Sequence, residues 1–117
     1  MKIAVIGSGA IGGLVAGYLK NKNIDVSLIG HSKAVLAIRE NGLEISGIRG
    51  NLKVEINVSE KLNFKPDLVI LATKTQDLKE ALEENLGLIK DSLTLTTQNG
   101  IEADKLVAGF LPKNNII

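Results

Sequence analysis

Apolar and polar positions along this chain follow two rhythms, and the switches between them predict its elements. Residues 3–6 (Ile3-Ala4-Val5-Ile6) form an unbroken apolar run closed by glycine, the pattern of a strand buried on both faces. Over residues 11–22, Ile11, Leu14, Val15, Tyr18 and Leu19 recur at helical spacing, and Lys20-Asn21-Lys22-Asn23 closes that helix with polar side chains. Residues 25–30 predict a second strand. Ser32 is placed to cap a helix over 33–40, which Asn41-Gly42 ends.

The rhythm then changes. Residues 43–46 and 52–58 alternate apolar with polar, with Gly47 and Gly50 between them, which predicts an antiparallel hairpin in place of a plain helical crossover. Residues 68–72 predict the next buried strand. A helix over 75–88 follows, with Leu78, Ala81, Leu82, Leu86 and Ile89 inward. Residues 93–97 read as another strand, 101–109 as a short helix, and Pro112 with Ile116-Ile117 as the entry to one more strand. The order defines an α/β fold: a Rossmann-type, doubly wound, mainly parallel sheet with an inserted antiparallel hairpin.

Length and composition narrow the function. A chain of 117 residues is one domain, 1–117. With 14 Lys plus Arg against 13 Asp plus Glu and 3% aromatics, nothing favours a nucleic-acid partner. Cysteine is absent, which excludes disulfides and thiol chemistry and fits a cytoplasmic protein. No apolar run reaches the roughly 18 residues of a membrane span. The early run after Lys2 is broken by Gly7-Ser8-Gly9 and is a strand, not an export signal.

Gly7-Ser8-Gly9-Ala10-Ile11-Gly12 is a GxGxxG turn between a predicted strand and a predicted helix, the setting in which it cradles a dinucleotide. Gly7 would permit the turn, Gly9 would let backbone approach a pyrophosphate, and Gly12 would let helix and strand pack closely. Free amides and the positive helix end would face the phosphates. NAD binders usually place an acid about 20 residues further on, for the ribose 2′-hydroxyl. Here stand His31, Ser32 and Lys33, a hydroxyl with two groups able to carry positive charge, which favours NADP(H). His31 itself reads either as a neutral loop residue or as a phosphate contact. No metal site is expected from it, since no partner ligand is visible.

Ligands of such sheets lie beyond the carboxyl ends of the strands. Two polar clusters fall there, Thr73-Lys74-Thr75-Gln76 and Gln98-Asn99-Gly100. Neither contains an Asp, Glu or His to protonate a carbonyl.

The stretches GSGAIGG, AIRENGLEI, LVILATKTQD and TLTTQNGIE together resemble the N-terminal domain of the ketopantoate reductase (2-dehydropantoate 2-reductase) family, over essentially the whole chain. The glycine turn is generic; the K-T-Q and Q-N-G clusters are more specific. The resemblance implies an enzyme that reduces 2-dehydropantoate, a small 2-oxoacid, to pantoate with NADPH, on the route to pantothenate and coenzyme A. Joined to the glycine turn and the 31–33 loop, it gives Gly7, Gly9, Ala10, Ile11, Gly12, His31, Ser32, Lys33 and Thr73 as the expected cofactor residues. It implies further that Lys74 contacts the cofactor and that Asn99 lies near nicotinamide and substrate. Family members commonly carry Arg where His31 stands. Their catalytic Lys and substrate-binding Glu belong to a C-terminal helical domain that no part of this sequence matches. The expectation is therefore the front part of a longer protein, with no catalytic residue of its own and little activity alone. Homodimerisation is left open. Two alternatives stand beside it: a free-standing nucleotide-sensing Rossmann domain, and a paralogous 2-oxoacid or other two-domain dehydrogenase.

Overall fold

The apolar run Ile3–Ile6 becomes β1, buried along its whole length at the centre of a parallel sheet. The computed structural model describes residues 1–47, 50–97 and 109. After β1 come α1 (Ala10–Asn21), β2 (Val26–Ile29), α2 (Ser32–Asn41), β3 (Leu43–Gly47) and β4 (Gly50–Val54). β5 (Asn57–Ser59), β6 (Leu68–Leu71), α3 (Thr75–Ile89) and β7 (Leu93–Thr96) complete the described elements. Five strands lie in the order β5-β2-β1-β6-β7, all parallel, so the chain runs outward from β1 to one edge and then returns to fill the other side. The direction reverses between β1 and β6, and that crevice is where such sheets bind ligands.

Alternate residues of the central strands feed two cores. Ala4, Ile6, Val69 and Leu71 pack with Leu78, Leu82 and Ile89 of α3. Val5, Val26, Leu28 and Ile70 pack with Ala16 of α1 and Val35 of α2 on the opposite face. The sheet is thus wound on both sides, as the element order predicts. Arg39 of α2 donates to the Val58 carbonyl at 3.1 Å, which ties the helix to the edge strand β5.

Two expectations need correction. The alternating run 52–58 is not one strand. It breaks at Glu55-Ile56, and Asn57–Ser59 leaves the hairpin to pair in parallel with Ser27–Ile29. Alternation has the same phase on both sides of the break, so periodicity alone cannot reveal that the sheet has changed. Ser32 is the first residue of α2, and His31 holds the N-cap position without a side-chain cap bond.

The packed face of α1 is set by its small residues. Its spacing marks a helix correctly, yet Ile11, Leu14 and Tyr18 are 55%, 43% and 47% exposed. The buried face is Gly12, Gly13, Ala16 and Gly17. The hairpin β3–β4 lies against this helix, with Leu43 and Ile45 buried there. A Cβ on Gly13 would come to 3.6 Å from Leu43 Cδ1, and one on Gly17 would overlap Ile45 Cδ1. Glycines make the room, so the large side chains turn outward. The helix over 101–109, apart from Gly109, and the strand expected near Ile116-Ile117 lie outside the described residues.

Candidate functional site

The strands end level with one another. Gly7 N–H donates to the Ile29 carbonyl at 2.8 Å, Ala72 N–H to Ile6 at 2.8 Å, and Gly30 N–H to Ser59 at 3.0 Å. The residues that follow β1, β2, β5 and β6 therefore meet along one rim of the sheet.

The glycine turn sits at the middle of that rim. Gly7 has φ +120°, a conformation that L side chains rarely adopt, and a Cβ there would be 2.6 Å from the Ala72 carbonyl carbon. A Cβ on Gly12 would collide with the Gly7 carbonyl oxygen. Both glycines are thus required by the chain's own packing. Gly9 is different. Its φ of −71° and ψ of −170° suit any residue, and nothing lies within 4 Å of where its Cβ would be.

Gly9 is also the N-cap of α1, with no side-chain cap bond and no acidic residue in the first turn. The first intrahelical bond is Gly13 N–H to the Gly9 carbonyl at 2.9 Å. The amides of Ala10, Ile11 and Gly12 precede it and have no helical acceptor, so they and the helix dipole offer an anion site.

A cavity of about 700 Å³ opens beyond the carboxyl ends of β1, β2 and β5. Gly7, Ser8 and Gly30 form its floor, where Ser8 fills the space a Gly30 side chain would need. His31 and Ser32 line it from the start of α2. Thr73 lines it from the end of β6, and its Oγ1 is buried with no hydrogen-bond partner. α3 contributes Asp77, Glu80, Glu84 and the buried Asn85.

The expected site residues thus divide. Gly7, His31, Ser32 and Thr73 stand on the cavity wall; Gly9, Ala10, Ile11 and Gly12 form the turn and first helical turn beside it. Lys33 and Lys74 are exposed and not on that wall; Lys74 is the N-cap of α3. Asn99 lies outside the described residues.

Sequence reasoning missed Ser59, the last residue of β5, and Glu60, Lys61 and Asn63 after it, all of which line the cavity. Reading 52–58 as one hairpin strand hid the carboxyl end of a third parallel strand, which the rim rule would have pointed to. It also missed the α3 wall, although 77, 80, 81, 84 and 85 recur at the spacing of one helix face. Among the described residues no three His, Asp or Glu side chains converge as metal ligands, and no helix is long and apolar enough to cross a membrane.

A doubly wound parallel sheet with a glycine turn at its switch point is a Rossmann-type domain. The chain belongs to the ketopantoate reductase PanE/ApbA family, whose family model matches residues 3–117. It is 47% identical over 109 residues to a 2-dehydropantoate 2-reductase of Pyrococcus abyssi, covering 92% of this chain and 36% of that protein. It is 32% identical, with a TM-score of 0.90, to a D-mandelate dehydrogenase solved with NADH and anilino(oxo)acetate, covering 99% of this chain and 39% of the other. A PanE/ApbA family ketopantoate reductase from Ralstonia eutropha JMP134 superposes with a TM-score of 0.89 at 29% identity, over 95% of this chain and 38% of that one. The chain therefore spans little more than a third of the length of the curated relatives it matches.

Proposed function

We propose that this chain is the NADP(H)-binding domain of a cytoplasmic oxidoreductase that reduces 2-dehydropantoate to pantoate, and that it is inactive without a C-terminal helical domain. The observation that carries the reading is Gly9. It sits at an uncapped helix N-terminus, and neither its backbone angles nor its neighbours require a glycine. A ligand's phosphates would use the space that a side chain there would fill. The buried, unpartnered Thr73 Oγ1 on the cavity wall is a second fit, since a polar ligand atom would satisfy it.

The glycine turn and the family resemblance together imply a division of labour. The amides of Ala10, Ile11 and Gly12 hold the pyrophosphate, and His31 and Ser32 face the adenosine end. By the family resemblance, Lys74, exposed at the start of α3, would contact the cofactor, and Asn99 would lie near nicotinamide and substrate. When bound, the dinucleotide supplies a hydride for the 2-oxo carbon. The alkoxide that results needs a proton, and neither 73–76 nor 97–100 contains an Asp, Glu or His. That donor, and the other half of the substrate pocket, belong to the C-terminal domain.

Equilibrium titration with NADPH and NADH tests the cofactor assignment. NADPH should bind at least tenfold tighter, a gap of about 1.4 kcal/mol. Equal or NADH-favoured binding would overturn the preference. It would move the assignment to a second reading, a paralogous reductase of another 2-oxoacid, which the likeness to the NADH-bound D-mandelate dehydrogenase favours.

A further inference from the structure

We propose that Lys61 is the residue that binds the ribose 2′-phosphate of NADP(H), so that the turn after β5 sets cofactor preference; this rests on the dinucleotide site described above. The turn is anchored to the end of β2. Gly30 N–H donates to the Ser59 carbonyl at 3.0 Å, and Ser59 Oγ donates to the Lys61 carbonyl at 2.9 Å. These two bonds link residue 61 through Ser59 to the end of β2, and Lys61 lines the same cavity as Gly30 and His31, at the end of β2 where the adenosine ribose of a dinucleotide falls in this fold.

Charge makes the choice of residue. Among the described residues, Lys61 is the only Lys or Arg on the cavity wall, which also carries four carboxylates. Three of these, Asp77, Glu80 and Glu84, come from α3; Lys61 comes from the β5 side with His31 and Ser32. A 2′-phosphate adds close to two negative charges to a wall that is already acidic. Without Lys61, the side-chain charges of the described wall, Glu60, Asp77, Glu80 and Glu84, would all oppose its binding. Lys33, the other lysine near this end, is exposed and off the wall. Glu60 adjoins Lys61 and also lines the cavity, so the two side chains pull in opposite directions on a phosphorylated ribose.

The test is calorimetric titration of the full chain with 2′,5′-ADP and with 5′-ADP, which differ only in the phosphate at issue. Lys61→Met should weaken 2′,5′-ADP at least tenfold and 5′-ADP less than twofold, and Glu60→Gln should tighten 2′,5′-ADP severalfold. Both side chains are exposed, and an unchanged melting temperature checks that the variants remain folded. Equal weakening of both ligands by Lys61→Met, no effect on either, or a larger selective loss from Lys33→Met overturns the assignment to Lys61. Loss of 5′-ADP binding in Glu60→Gln also overturns it, because Glu60 would then be holding the ribose hydroxyls of an unphosphorylated cofactor. If the wild-type chain binds neither ligand, the dinucleotide site itself fails, and Lys61 with it. A wild type that binds both and a silent Lys61→Met fails the inference alone.

Discussion

Gly12 lies against Gly7 so closely that a Cβ on the third glycine of the turn would run into the carbonyl oxygen of the first. The obstacle is backbone, which cannot swing aside as a side-chain end can. Gly12→Ala should therefore destabilise the fold by about 2–3 kcal/mol, the overpacking range. Urea unfolding measures it; a loss under about 0.5 kcal/mol, the noise of ordinary surface changes, would contradict the packing described.

Thr94 and Ser92, two residues apart near the start of β7, make a contrasting pair. Thr94 is wholly buried and its Oγ1 has no partner, whereas buried Ser92 donates its hydroxyl to the Pro66 carbonyl at 2.5 Å. Thr94→Val keeps the shape and removes an unsatisfied group, so it should stabilise by about 1 kcal/mol. Ser92→Ala leaves a buried carbonyl without its donor and should destabilise by about 1–3 kcal/mol. Thermal melts of the two variants should move in opposite directions, and shifts of the same sign would contradict this.

Thr73 tests the cavity from another side. Its buried Oγ1 lacks a partner in the free chain. Thr73→Val should leave stability unchanged or slightly raised while weakening NADPH binding by about 0.5–1.5 kcal/mol, one ordinary hydrogen bond. Unchanged affinity would show that the hydroxyl does not reach the ligand.

What the sequence made legible follows from what its patterns encode. The run Ile3–Ile6 followed by Gly7 and Gly12 specifies a buried strand, a tight turn and a close-packed helix, because each residue type answers a local geometric demand. The central strands and α3 were legible for the same reason. The division of 52–58 between β4 and β5 was not, because both strands alternate in phase and only tertiary pairing separates them. That one merger concealed Lys61, since its place on the cavity depends on β5 joining the main sheet. On α1, hydrophobic spacing pointed to Ile11, Leu14 and Tyr18, while the packed face belongs to Gly13 and Gly17, whose role is to let Leu43 and Ile45 approach. An apolar stripe marks a helix more surely than it marks the buried side.

On the proposed dinucleotide site, Gly9 is a glycine for a ligand's sake, since neither its packing nor its backbone angles require one. Serine is among the best N-cap residues, and Gly9 has the extended backbone and open surroundings that a capping serine needs. Gly9→Ser should therefore be as stable as the wild type, or a few tenths of a kcal/mol more stable. Its side chain would occupy the space the phosphates need and satisfy an amide meant for them. The measurement is NADPH titration of wild type and Gly9→Ser, with thermal unfolding of both in the absence of ligand. Unchanged or raised stability is expected together with at least a tenfold loss of affinity, about 1.4 kcal/mol. Undiminished binding in a stably folded Gly9→Ser variant would contradict it.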